Sequence, residues 1–325
     1  EARLDRGAAR DRVLIAPDQA VVATRAIHVA DRAGVVAADR VAIAADEVAI
    51  QTVNFCPTQD SAAALKRFRG GEFDLVSDSV PPQQIHWLER HLPHELHRAP
   101  YILSQYVCFN VKRKPFDDLR VRLALSLAID REIMVSKVTR AGEQPAYALI
   151  PPGMPQYRSA EMTFRSQNMA QRLARARALL ADAGYGPSNP LTFDYNIAGT
   201  TETRIISVAL QGMWSTIGAK ANMVPSDSQI HYNLLRKHDF QAVWAGWIAD
   251  YRDPKNYLML CQKAAPDLNN GEYDSPKFEM LVDRSDHERD PVARAALLRE
   301  AEQTLLDDVA LVPVFFGVTR NLVSP

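Results

Sequence analysis

Cysteine is scarce, and net charge is almost absent. Cys56, Cys108 and Cys261 are the only three cysteines in 325 residues, and no two stand at C-x-x-C spacing. That argues against a zinc ribbon or a thioredoxin-like centre. One disulfide with a thiol left over, or three small buried side chains, both fit. Lys and Arg total 38 against 39 Asp and Glu, a net charge of -1, so the basic surplus of a nucleic-acid binder is missing. The longest uncharged apolar stretches, 309–318 and 241–249, are about half the roughly 20 residues of a membrane-spanning helix. Also missing are G-x-G-x-x-G, G-x-x-x-x-G-K-[ST], G-x-S-x-G and H-E-x-x-H, so the enzyme classes built on those motifs lose their sequence support.

What is present is ordinary globular material: 47% hydrophobic, 24% charged, 8% aromatic. At about 150 residues per domain the length predicts two domains. The first fifty residues stand apart, with 15 Ala, 8 Val and no aromatic before Phe55. Within them 40–43 and 47–50 alternate as short strands do. Beyond Val53 the signals sharpen. Helices are predicted over 61–69, stopped by Gly70 and Gly71, and from Pro81 and Pro82 to about Arg90. A further helix is predicted over 119–139, capped by Asp117 or Asp118, with Val121, Leu125, Ala128, Ile129 and Ile133 as its apolar stripe. Later helices fall at 168–183, 203–216, 228–237 and 291–306, with Gly184 and Gly218 closing the first two of these. Strands fall at 73–76, 101–111, 191–196, 221–224, 240–245 and 312–316. This alternation implies an α/β sheet with parallel pairings.

Two groups of residues invite chemistry. His86, His91, His94 and His97 cluster with Glu95, and His91 and His94 are spaced to share a helix face, but Pro93 breaks that helix. A solvated surface loop is the expectation there, with no metal. The run Trp244-Ala-Gly-Trp-Ile-Ala-Asp-Tyr-Arg-Asp-Pro254 is richer. It closes a core strand, where α/β folds place ligand sites, and Gly246 allows close approach. Asp250, between Trp247 and Tyr251, offers a carboxylate to an amine. The plainer reading is that Asp250 or Asp253 caps a turn before Pro254 while the tryptophans fill the core.

Three stretches carry a resemblance. They are KPFDDLRVRLALSLAIDR at 114–131, with PAY and IPPG following at 145–147 and 150–153; ARALLADAGY at 176–185; and FQAVWAGWIADYRDP at 240–254, with YDSPKF and VPVFF after it. The chain resembles the oligopeptide- and dipeptide-binding receptors of bacterial ABC importers. The resemblance implies a two-lobed α/β fold of the periplasmic-binding-protein type with mixed sheets. Its first lobe, 1–115 with 309–325, is expected to be incomplete, with 1–52 unmatched; its second lobe is 116–308. It implies a receptor, not an enzyme, that takes oligopeptides in an interlobe cleft and passes them to a membrane permease. Such a receptor sits in the periplasm or is lipid-anchored at the outer face, works as a monomer and needs no cofactor. Rival readings are a metal-chelate or cell-wall-peptide receptor and a metal-assisted peptidase.

In that family the aspartate of G-W-x-A-D-Y pairs with the peptide's α-amino group, which makes Asp250 the expected partner, with Trp247, Tyr251, Gly246, Trp244 and Arg236 around it. Trp244 stands where relatives often place an arginine. A second basic position falls on or next to Leu235, with Arg236 adjacent. Ile248 replaces a cysteine that some relatives carry, so their disulfide is not expected. Recognition of short peptides through their carboxylate is therefore expected to be weak.

Overall fold

The computed structural model describes residues 12–15, 52–56, 58, 60–77 and 80–325; the strands expected over 40–43 and 47–50 lie outside them. The chain divides into two compact units, Glu1–Ala99 with Thr319–Pro325, and Pro100–Val318. The lobe boundaries expected at 115/116 and 308/309 both fall inside the second unit.

In the first unit β1 (Arg12–Ile15) pairs in parallel with β2 (Thr52–Phe55). Helix α1 (Ser61–Arg69) begins at Asp60, whose carboxylate accepts from Ala63 N, and Gly70 closes it; Ala64, Leu65 and Phe68 form its buried face. Strand β3 (Leu75–Ser77) pairs antiparallel with residues 321–323. A 3-10 turn over Pro82–Gln84 leads into α2 (Ile85–His91). His91 stacks on Trp87 at 4.3 Å and His86 meets Glu89 at 3.3 Å. Two of the clustered histidines therefore ride on a helix and not on the loop expected, because Pro93 lies beyond the helix end. No group of three metal-ligating side chains occurs among the described residues.

The chain enters the second unit within β4 (Leu96–Phe109). Helix α3 (Leu119–Ala128) starts at Asp118, as expected, but stops where a longer helix was expected. Ile129 turns extended, and Asp130 caps a new short helix, α4 (Arg131–Ile133), that widens into a π-turn over Met134–Thr139. The break aims Arg131 inward. Its guanidinium, fully buried, donates to the carbonyls of Ala146, Pro313 and Ser126 at 2.8, 2.9 and 3.2 Å. Ile133, expected in the apolar stripe, is left exposed.

There follow β5 (Gln144–Pro145), α5 (Met169–Asp182), β6 (Thr192–Ala198), α6 (Thr201–Ser215), β7 (Lys220–Ser226), α7 (Ser228–Arg236), β8 (Ala242–Ile248), α8 (Lys255–Leu258), α9 (Pro276–His287), α10 (Pro291–Asp307) and β9 (Leu311–Val323). The sheet order is β9-β4-β8-β6-β7, with β5 on β9. Strand β4 runs antiparallel to β8, while β6 is parallel to both β7 and β8, so the sheet is mixed. Side chains alternate across it. Ala242 and Trp244 join one core with Phe109, Phe116, Phe193 and Trp214, whereas Val243 joins another with Tyr257, Phe278 and Leu298. Helices thus cover both faces, as the apolar run in β8 requires. No helix among the described residues is long and apolar enough to cross a membrane. All three cysteines are free thiols, and burial pushes Cys108 up to about 12 and raises Cys261 well above the ordinary thiol range.

Candidate functional site

Backbone parity along β8 builds the site. Just before the strand, Gln241 O accepts from Asn110 N at 2.9 Å; just after it, Ala249 N donates to Ile102 O at 3.1 Å. Both bonds lie on the β4 side. Backbone groups alternate sides along a strand, so the N–H and C=O of Ala242, Trp244, Gly246 and Ile248 face the opposite edge. Strand β6 covers that edge only at Ala242 and Val243. Beyond them, no strand among the described residues pairs with it.

His231 on α7 closes the near end of this open edge. Its Nε2 lies 3.2 Å from Trp244 O, which makes Nε2–H the donor and leaves Nδ1 as a lone-pair acceptor. That Nδ1 is buried and has no partner among the described residues. Burial lowers the pKa of His231, and the bond to the carbonyl offsets this only in part, so the ring is neutral at pH 7. The backbone groups of Gly246 and Ile248 that face this edge have no strand partner among the described residues.

The side chains sort by face. Trp244, 6% exposed, packs into the core 5.9 Å from the Phe315 ring. Trp247 lies half-buried on the other face. Gly246 is exposed, and a Cβ there would stand 2.7 Å from Gln105 Oε1, on its partner residue in β4. The glycine therefore lets Gln105 lie across the strand. Asp250 follows the strand and is exposed, as is Tyr251 at 54%.

One residue gathers these groups. Asn256, on α8 and fully buried, accepts at Oδ1 from Trp247 Nε1 (2.8 Å) and Asp250 N (3.3 Å), and donates from Nδ2 to Asp250 Oδ2 (3.5 Å). The loop between is pinned on three sides. Asp253 accepts from Lys255 N at 2.8 Å and takes both Arg294 terminal nitrogens at 2.9 and 3.1 Å. Burial pushes the Asp253 carboxyl up, but Arg294 and the Lys255 N–H hold it below the usual carboxylate value. Lys255 Nζ reaches both Asp286 oxygens at 2.6 Å, and Arg252 donates to Gly153 O at 2.9 Å.

The turn met by Arg252 hangs in its own way from α10. Glu302, buried, accepts from Leu149 N, Ile150 N, Ala160 N and Tyr157 Oη at 3.0, 2.9, 2.7 and 2.7 Å. Burial nevertheless pushes its carboxyl up to about 7.

Of the residues singled out in the sequence, Gly246 and Trp247 lie on the open half of β8, and Asp250, just past it, is joined to Trp247 through Asn256. Tyr251 is adjacent and solvent-facing. Trp244 is core, contributing only its carbonyl to the edge. Arg236 is exposed, and its guanidinium donates to Asn233 Oδ1 at 2.6 Å, within its own helix; Leu235 is buried in the second core. The turn-capping role belongs to Asp253. Sequence reasoning missed His231, Asn256 and Glu302, whose roles arise from contacts that no local pattern encodes.

Residues 31–269 match the family described as bacterial extracellular solute-binding proteins, family 5 middle. The chain belongs to that family. The match starts at residue 31, inside the alanine- and valine-rich segment that looked unmatched from sequence. The chain is 32% identical over 279 residues to the Escherichia coli periplasmic oligopeptide-binding protein OppA, covering 85% of this chain and 51% of the relative. Its fold matches the E. coli murein tripeptide binding protein MppA with a TM-score of 0.80 at 27% identity, over 84% of this chain and 53% of the other. It matches Haemophilus influenzae OppA in complex with RPPGFSPFR with a TM-score of 0.79 at 25% identity, over 84% of this chain and 54% of the other. The expected periplasmic-binding-protein-like α/β fold with a mixed sheet is thus established. The chain spans about half the length of the curated relatives it matches.

Proposed function

We propose that this chain is the peptide-reading part of an extracytoplasmic receptor that captures oligopeptides and delivers them to the permease of an ABC importer. The observation that carries this reading is the open edge of β8 beside an exposed carboxylate. Gly246 and Ile248 present N–H and C=O groups to which an extended peptide adds as a strand, giving affinity without reading side chains. Asp250, just past the strand, meets the ammonium at the peptide's start. With the amino end at Asp250, the peptide runs antiparallel to β8 toward Trp244, where His231 already holds the carbonyl. Support also comes from the names of the relatives, among them one bound to a nonapeptide. The reading assigns no catalysis. It places the receptor outside the cytoplasm, free or lipid-anchored, acting as a monomer, with its two lobes formed from 1–115 with 309–325 and from 116–308.

The Asp250 assignment is tested by titration calorimetry with a free-amine peptide and its N-acetylated twin. Acetylation removes the ammonium, and Asp250→Ala removes its partner; each is expected to cost about 2–5 kcal/mol of binding. Equal affinity for the two peptides contradicts the assignment. Trp244 and Leu235 are buried and apolar, so amidating the peptide's carboxyl end is expected to change affinity little. Peptide recovered cleaved, by mass spectrometry, would favour a peptidase instead.

A further inference from the structure

The buried Asn256 amide has more to do than fill space. Its Oδ1 faces two N–H donors, the Trp247 indole at 2.8 Å and the Asp250 backbone at 3.3 Å. Turning the amide over would set an NH2 against both, so these donors fix which atom is oxygen. The NH2 group is thereby aimed at the Asp250 carboxylate, reaching Oδ2 at 3.5 Å. No other side chain among the described residues bonds that carboxylate. Asn256 is fully buried, at the first turn of α8. The turn is tied to two helices through Asp253–Arg294 and Lys255–Asp286, so the amide is a fixed reference and the exposed Asp250 side chain is not.

We propose that Asn256 is the positioning residue of the amine site. It holds one Asp250 oxygen and the Trp247 indole in one arrangement, which leaves the second Asp250 oxygen directed at the incoming ammonium. This rests on Asp250 being the amine partner, so the experiment separates the two ideas.

Affinities for a free-amine peptide and its N-acetylated twin are measured by calorimetry on the wild-type protein, Asn256→Ala and Asn256→Leu. The wild type is expected to prefer the free amine strongly. Asn256→Ala is expected to weaken the free-amine peptide about tenfold and leave the acetylated one unchanged, so the preference ratio collapses. Asn256→Leu keeps the volume but removes the donor without adding charge, and is expected to lower the ratio likewise; it carries the test should the alanine variant not fold. A structural role alone would weaken both peptides by the same factor, and an unchanged ratio in the variants overturns the positioning role. Absence of any preference in the wild type overturns the Asp250 reading itself, and the positioning role with it.

Discussion

From Ala242 to Trp244, β8 has β4 on one edge and, at Ala242 and Val243, β6 on the other, with side chains that vanish into two cores. From Ala245 to Ile248 the same strand keeps β4 but has no second strand among the described residues, and Gly246 is exposed. The two halves are continuous in sequence and equally rich in tryptophan. They differ in whether their backbone bonds are already made. In the first half the bonds and the packing stabilise the fold; in the second, no strand among the described residues meets the outward N–H and C=O groups, which the proposed reading assigns to a peptide. A tryptophan therefore means different things three residues apart: Trp244 fills volume, while Trp247 is held by a hydrogen bond beside the carboxylate.

The contrast predicts separable effects. The largest is at Trp244: Trp244→Ala empties a buried ring site and is expected to cost about 3–5 kcal/mol of stability, read as a fall in Tm on the order of 10 °C. Asp250→Ala is expected to leave unfolding within about 0.5 kcal/mol of wild type, while it cripples free-amine binding. A comparable loss of stability in both variants would erase the distinction.

Glu302 lies between the two in expected effect. Its folded carboxyl, pushed up to about 7 from an ordinary 4.5, binds a proton at a higher pH than the unfolded chain does. Its contribution is fully present below pH ~4.5 and is lost as pH rises through ~7, so stability is expected to decline across that window. Denaturant unfolding at pH 5, 6, 7 and 8 reads the slope. Glu302→Gln is expected to flatten it, while costing about 1–3 kcal/mol through buried N–H groups left without an acceptor. A small effect is expected at Gly246 too: Gly246→Ala forces only the flexible end of Gln105 aside and is expected to cost under about 1 kcal/mol. A Tm drop as large as that of Trp244→Ala would mean that the open half is load-sharing core after all.

Much of the scaffold is legible in the sequence because its signals are local. The bounds of α1 follow from Asp60 and Gly70, those of α5 from Asn168 and Gly184, and those of α10 from Pro291 behind Asp290. The break at Ile129 is not legible, since the carbonyls that receive Arg131, at Ala146 and Pro313, are distant in sequence. Strand β8 was expected to end at Ala245; pairing with β4 carries it to Ile248. Asp250 stands out only through the family's G-W-x-A-D-Y pattern, because its own neighbourhood equally suggests a turn cap, the role that Asp253 fills. Asn256 and Glu302 carry no signal at all: an Asn within Lys-Asn-Tyr-Leu and a Glu within a helix look like ordinary residues until the fold sets donors around them.

The central claim is that a peptide completes β8 at Gly246 and Ile248. Amide hydrogen exchange followed by NMR, residue by residue with and without saturating free-amine peptide, tests it most directly. The account predicts that the Gly246 and Ile248 amides become strongly protected on binding. Unchanged exchange at both amides while peptide is bound would contradict it.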